Sequence, residues 1–272
     1  MRMDFLHRKT LLVVAVAALA VLAGCTGGNG PGTATPANNS TDNGGSLEPV
    51  EELNASYLND NTEAAVQDGG SYTSETTFYQ YLNSSRGESE SWTNSTQRVE
   101  FDASQGARET TLTVLGDQSR ISTQDVYTEN DTTYQRLNSS LGVSYEVQSG
   151  ANGTVQPVNT SSFSQNYTIL TDSFAYEADG TATVDDTTTV RYSSTNLTDD
   201  RYFVSGENAT ISNASSTLYV DADGVVREAT ISYTIGSDGA TSTTEVTFSL
   251  SDIGSTSVDE PGWVDEARNS TS

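Results

Sequence analysis

Hydrophobic and polar positions change period several times along the chain, and each change marks an expected element. From Thr10 to Gly24, fifteen uncharged and mostly aliphatic residues follow a short stretch carrying Arg2, Arg8 and Lys9. At 1.5 Å per helical residue this run reaches about 22 Å, short of the ~30 Å hydrocarbon core. It reads as the apolar region of a signal peptide over 1–24 rather than a permanent span. Residues Thr26 to Ser46 contain no large apolar side chain. Such a tract cannot bury enough surface to offset chain entropy, so 25–46 is expected to be a flexible linker with a reach of about 25 Å.

A single domain is expected over 47–268, followed by a disordered tail at 269–272. It opens on an amphipathic helix, Leu47 to Gln67, with Val50, Leu53, Tyr57 and Ala64 on one side and Gly69-Gly70 ending it. The spacing then becomes alternating at Tyr72, Thr76, Phe78 and Leu82, at Val99 and Phe101, at Leu112 and Val114, and at Tyr145 and Val147. Turn residues lie between these runs at Ser85-Arg86-Gly87, Ser104-Gln105-Gly106, Gly116-Asp117 and Glu129-Asn130-Asp131. Period two with polar partners predicts a meander of five or six half-buried antiparallel strands.

Between Asn159 and Asp179 the period returns to that of a helix, with Phe163, Tyr167, Leu170 and Phe174 on one stripe and Thr160 or Ser161 as its cap. Strands resume at Val190 and Tyr192, at Leu218 and Val220, at Ala229, Ile231, Tyr233 and Ile235, and at Val246, Phe248 and Leu250. Asp221-Ala222-Asp223-Gly224 forms the turn of a hairpin. It fails as an EF-hand loop because the third acidic ligand is missing and the closing position is Ser232. The fold class expected is mainly β (α+β), an antiparallel sheet packed on an N-terminal and an internal helix.

Charge narrows the chemistry. The 272 residues hold 37 Asp or Glu against 12 Lys or Arg, a net charge of −25, and every basic residue after Lys9 is an arginine. Self-repulsion of that size is screened only at high ionic strength, where the Debye length falls to about 3 Å at 1 M. In composition the chain resembles secreted proteins of extremely halophilic archaea. The same field argues against nucleic acid as a partner. Fourteen of the eighteen asparagines open an Asn-x-Ser/Thr acceptor, well above what composition gives by chance. Within the domain the candidate glycosylation sites are Asn54, Asn83, Asn94, Asn130, Asn138, Asn152, Asn159, Asn166, Asn196, Asn208 and Asn213.

Leu22, Ala23, Gly24 and Cys25, the only cysteine, resemble the lipobox of secreted lipoproteins. The resemblance implies that Cys25 is lipidated as the mature N-terminus and holds the protein on the outer face of the cell membrane. Arg8-Lys9-Thr10-Leu11-Leu12 resembles a twin-arginine signal with Lys at the second basic position, which leaves general secretion open as well. The order of elements, together with the hairpin Leu218 to Arg227, resembles the LolA-like and mycobacterial lipid-binding lipoprotein superfamily. That resemblance implies one large curved antiparallel sheet or half-barrel, wrapped around helices and enclosing an apolar cavity for acyl chains. Members of that group hold a lipid headgroup with a cavity Arg, and no Arg here aligns with it by sequence.

The only histidine is His7, within the segment to be removed. Neither imidazole nor lysine chemistry is then available to the mature chain, and no phosphate-binding glycine motif occurs. A carboxylate-pair mechanism survives chemically, but nothing distinguishes such a pair among so many acids. The expectation is a protein that is not an enzyme and carries no cofactor or metal. Trp92 and Trp263 are expected to pack rather than to bind sugars. Two functions are consistent with this reading. In the first, a membrane-anchored lipoprotein binds a lipid or other hydrophobic ligand in an apolar pocket built on Phe163, Tyr167, Leu170 and Phe174. In the second, a glycosylated structural or interaction protein of the envelope takes no small ligand and meets other envelope proteins.

Overall fold

The computed structural model describes residues 47–50, 53–101, 105–115, 119–130, 132–149, 161–204, 209–237 and 239–270, with side chains from 166 onward in the sixth segment. The expected signal segment, the expected lipobox with Cys25 and the whole of the expected linker therefore lie outside the described residues, as do Asn152, Asn159 and Asn208.

The expected fold class is the one observed, a single open, curled antiparallel sheet with helices laid on it. Its strands are β1 (Ser71–Ser84), β2 (Gly87–Glu100), β3 (Gln105–Leu115), β4 (Arg120–Glu129), β5 (Thr132–Ser139), β6 (Gly142–Ser149), β7 (Glu177–Val184), β8 (Thr187–Ser194), β9 (Thr210–Asp221), β10 (Val226–Ser237) and β11 (Ala240–Ser251). The helices are α1 (Ala55–Gly69), α2 (Ser161–Ser173) and α3 (Val264–Ser270). Two meanders, β1–β6 and β7–β11, are joined where β1 pairs with β11, giving the order β6-β5-β4-β3-β2-β1-β11-β10-β9-β8-β7.

Because side chains alternate across a strand, the registers sort every residue onto one of two faces. On one face Tyr72, Val99, Leu250, Leu218, Val220, Val190 and Tyr192 are buried under α1 and α2, together with Leu58, Val66, Tyr167, Leu170 and Phe174. On the other face Tyr127 and Tyr134 are buried under the C-terminal segment, against Val258, Trp263, Val264 and Ala267. The two covers sit over different parts of the sheet. The sheet therefore has two cores on opposite sides, the α1–α2 face and the α3 face.

Three elements depart from expectation. Helix α1 begins at Ala55 rather than Leu47, because the Asn54 side chain accepts a hydrogen bond from Tyr57 N at 2.9 Å and caps it there. Its buried side is Leu58, Thr62 and Val66, while Val50, Leu53 and Tyr57 pack only partly against the core and Ala64 is exposed. Thr62 is tolerated inside because its Oγ1 accepts from Tyr167 Oη at 3.3 Å and from Val226 N at 3.4 Å. Gly70 ends the helix at φ 74°, as the Gly-Gly pair suggested. Helix α2 stops at Ser173, so Phe174 lies just past the helix and bridges Leu197. The turn expected at Ser104-Gln105-Gly106 is displaced, since β3 already starts at Gln105. Strand β7 and helix α3, short and mostly polar, carry no periodic signal.

Candidate functional site

The hairpin between β9 and β10 illustrates how this acidic chain uses its few arginines. Asp221 Oδ1 accepts from Asp223 N at 3.0 Å and from Val225 N at 2.9 Å, and its Oδ2 receives both Nε and Nη2 of Arg227 at 2.8 and 2.7 Å. Gly224 takes φ 81° beneath Tyr57, where a Cβ would come within 2.7 Å of the phenol oxygen. The carboxylate is thus fully committed to shaping the turn. Arg136, Arg191, Arg201 and Arg268 likewise each meet a carboxylate, at 2.6, 2.5, 2.8 and 2.7 Å.

Arg108 breaks the rule. It lies on the α1–α2 face in a cross-strand row that the registers define as Leu250, Ser74, Gln97, Arg108, Val126 and Gln135. Val126 beside it is buried. The Arg108 Nε is buried without a hydrogen-bond partner, and among the described residues its guanidinium has no ion pair. Loss of hydration lowers its pKa from the ordinary arginine value. Arg86, Arg98 and Arg120, also without an ion pair among the described residues, are exposed to water. Burying a cation without a counter-charge is costly, and carboxylates are abundant in this chain, yet none is placed here.

Beyond this row, toward the strand ends that carry the β1–β2 and β10–β11 turns, the same face is apolar. One row holds Ile231, Val246, Phe78, Thr93 and Leu112. Another holds Ile211, Ile235, Ser242 and Leu82. Phe78, Leu82, Leu112, Val246, Ile211 and Ile235 are all half-buried. At the boundary with the core, Phe203 connects the sheet to the end of α2, with ring centroids 5.0 Å from Tyr233 and 6.2 Å from Phe174. The face therefore combines a filled core under the helices, an apolar strip beyond it, and one uncompensated cation beside both.

Of the residues expected to form the apolar pocket, Tyr167, Leu170 and Phe174 are brought together, but inside the filled core; the Phe163 side chain lies outside the described residues. Tyr167 donates to Thr62, and burial raises its phenol pKa far above the ordinary value. The described candidate glycosylation sites, Asn54, Asn83, Asn94, Asn130, Asn138, Asn166, Asn196 and Asn213, are all exposed. Arg108 itself was missed by sequence reasoning. The only available signal was its position two residues before Thr110 on the Leu112–Val114 side of an alternating strand, which identifies a face but not an absent partner.

The α3 face also contains a cleft. Ser257 to Trp263 pass over β2–β5 and leave a cavity of about 450 Å³ bordered by Arg98, Glu109, Asp125, Arg136, Asp259 and Trp263. Its buried carboxylate, Asp125, is matched by Arg136, whose guanidinium carbon lies 5.5 Å from the centre of the Trp263 ring. The buried carboxylate of this cleft is thus already paired, whereas Arg108, whose strand segment also borders the cleft, is not. Trp263 is core, as expected, and Trp92 packs at a tilt against Tyr79 across the β1–β2 pair, with ring centroids 5.3 Å apart. No helix among the described residues is long and apolar enough to cross a membrane.

The sequence model of DUF7537, described as a family of unknown function, matches residues 10–267. No curated protein matches the chain. Among solved structures, lipoprotein LppX of Mycobacterium tuberculosis aligns over 76% of this chain and 97% of its own at 10% identity, with a TM-score of 0.37. A DUF1329 family protein from Desulfovibrio piger aligns over 73% of this chain and 95% of its own at 12% identity, with a TM-score of 0.26. A β-barrel-like DUF1849 protein from Brucella abortus covers 66% of this chain and 97% of its own at 10% identity, with a TM-score of 0.25.

Proposed function

The chain belongs to DUF7537, a family of unknown function, and from that premise we propose that it is a membrane-anchored, non-catalytic cell-surface lipoprotein. Its α1–α2 face holds an amphiphile, with the acyl portion on the Phe78–Leu82 strip and an anionic headgroup on Arg108. Anchoring is supported by the short apolar run ending in Leu22, Ala23, Gly24 and the single Cys25. Doubly acylated attachment is the condition for stable membrane residence. A non-catalytic role is supported by the lack of any histidine, lysine or second cysteine beyond the segment to be removed.

The observation that carries the ligand reading is the buried, unpaired Nε of Arg108. A chain with about three carboxylates per base leaves this cation without one, on a face whose outer rows are apolar. An anion that arrives with its own apolar tail would satisfy both halves of the surface at once.

The test uses the full chain isolated from its membrane in molar salt. Extraction and mass spectrometry are expected to show an acidic amphiphile bound to the wild type. Arg108→Met conserves length and removes the uncompensated charge, so it should retain the fold and melt a few degrees higher. It should also hold at least about tenfold less ligand, as expected for loss of a charge-assisted contact. A wild-type protein with no amphiphile, or equal occupancy in both proteins, would overturn the reading.

A further inference from the structure

Large apolar side chains are unevenly exposed. Among the described residues six are exposed, Leu115, Ile121, Leu137, Leu141, Val143 and Tyr202. The first five belong to neighbouring strand ends. The end of β3 lies beside the start of β4 through the pair Val114 and Arg120, and the end of β5 lies beside the start of β6 through Ser139 and Gly142. Leu141, in the β5–β6 turn, is 98% exposed. Single exposed aliphatic residues are ordinary on a soluble surface, but five of six at one end of a sheet need an explanation.

Charge singles out the same end. Between Thr132 and Tyr145 there is no Asp or Glu, and the one cation, Arg136, is paired with Asp125; between Thr110 and Gln124 the only acid is Asp117, offset by Arg120. Arg86, in the β1–β2 turn, adds a further cation at this end. Glu88 and Glu90 on β2, the latter opposite Leu115, are the acids that border the patch on this side. The rest of the chain carries the acidic excess, so this is the part of the surface that an anionic layer repels least. The half-buried strip of the α1–α2 face also runs out at this end, since Leu82 and Ile235 lie within a few residues of the β1–β2 and β10–β11 turns.

We propose that the loop ends of β3–β6 form a membrane-docking lip. Leu115, Ile121, Leu137, Leu141 and Val143 seat in the headgroup region of an anionic bilayer, with Arg86 and Arg120 beside the lipid phosphates. An amphiphile then passes between that bilayer and the α1–α2 face. The lip deepens the ligand reading above and rests on it for the transfer step, though not for the docking itself. The 21 residues between Cys25 and Leu47, as the linker expected from their composition, would reach about 25 Å, enough for a tethered domain to turn this end back to the membrane. A second copy is a poorer occupant, because two such ends brought together would oppose their arginines. An exposed apolar rim flanked by arginines matches the pattern of interfacial membrane binding.

Two measurements on the full, anchored chain test the lip in vesicles of equal parts phosphatidylglycerol and phosphatidylcholine at molar salt. In the first, Leu141→Cys and Tyr202→Cys are each labelled with bimane, and the vesicles carry a nitroxide lipid. Quenching at position 141 is expected to exceed that at 202 several-fold. Equal weak quenching at both positions, or crosslinking of position 141 to another copy or to an envelope protein without quenching, overturns the lip.

In the second, Leu141→Glu with Val143→Glu, both at exposed positions, should leave the fold and equilibrium occupancy unchanged. Uptake of a fluorescent fatty acid from the vesicles should slow about tenfold once the apolar contact is lost. Unchanged uptake overturns the lip and leaves Arg108 as the ligand contact. Strong quenching at 141 in a wild-type protein that binds no amphiphile removes the Arg108 reading and leaves the docking lip standing.

Discussion

Glu228 shows the cost of carrying so many carboxylates. It lies on β10, paired with Ser249 and Tyr219, and so faces the side opposite the α1–α2 core. Partial burial first, and the nearby Asp185 second, raise its pKa above the ordinary carboxylate value. A carboxyl whose folded pKa is raised contributes stability that is fully present below its unfolded pKa and is lost as pH rises through the folded pKa. At neutral pH its charge therefore opposes folding. Glu228→Gln is expected to raise the melting temperature at pH 7, with the gain shrinking toward zero as pH falls into the carboxylate range. Thermal scans across that range check this, and a gain independent of pH would contradict it. At this scale the sequence is a partial guide. The Asp-Gly turn was legible because Asp221 and Gly224 each have a local structural job. Arg108 was not, because what sets it apart is the absence of a partner on strands distant in sequence.

At the scale of elements, period was readable wherever one face is apolar and the other polar. The strands through Tyr72, Val99, Ile231 and Phe248 appear where alternation placed them, and the stripe Tyr167, Leu170 and Phe174 is buried as one unit. Helix α1 was legible in kind but not in face, because its central buried position is Thr62, a polar residue satisfied by groups contributed from α2 and β10. The α3 segment was silent because a seven-residue helix has too few turns to display a stripe. Yet it closes a core. Trp263 is buried against the sheet and supports Arg136 over its ring, which in turn holds the Asp125 carboxylate. Trp263→Ala is expected to cost roughly 3–4 kcal/mol, in the usual range for deleting a buried aromatic side chain. Chemical denaturation measures the loss. Hydrogen exchange should place the loosening in β4–β6, with the strands under α1 and α2 unchanged. A uniform loss of protection would show that the two faces do not behave as separate cores.

For the whole molecule, the two covers differ in how they resist electrostatic strain. Among the described residues the α1–α2 core gathers sixteen buried hydrophobic residues and the α3 core six. The smaller core also carries the tighter concentration of acid. Glu260, Asp265 and Glu129 surround Arg268 at 2.7, 3.0 and 3.8 Å, and Tyr145 donates to Glu266 on the same helix. One guanidinium thus serves three carboxylates, and its own pKa is raised, chiefly by the hydrogen bond to Glu260. At a net charge of −25, lowering ionic strength lengthens the range of repulsion from about 3 Å at 1 M to about 10 Å at 0.1 M. Neighbouring carboxylates on α3, on β4 and in the segment before α3 then repel across the whole cluster, while the apolar contacts of the larger core are largely insensitive to the change. Dialysis below about 0.5 M salt is therefore expected to weaken the fold in order. The amides of Tyr127 and Tyr134 should lose exchange protection first, and those of Tyr72 and Leu218 only at lower salt, with the circular dichroism spectrum changing in two steps. A spectrum and an exchange pattern unaltered at low ionic strength would show that short-range pairing, rather than screening, balances the acidic surface. Loss beginning at Tyr72 would place the weak point in the core that carries Arg108.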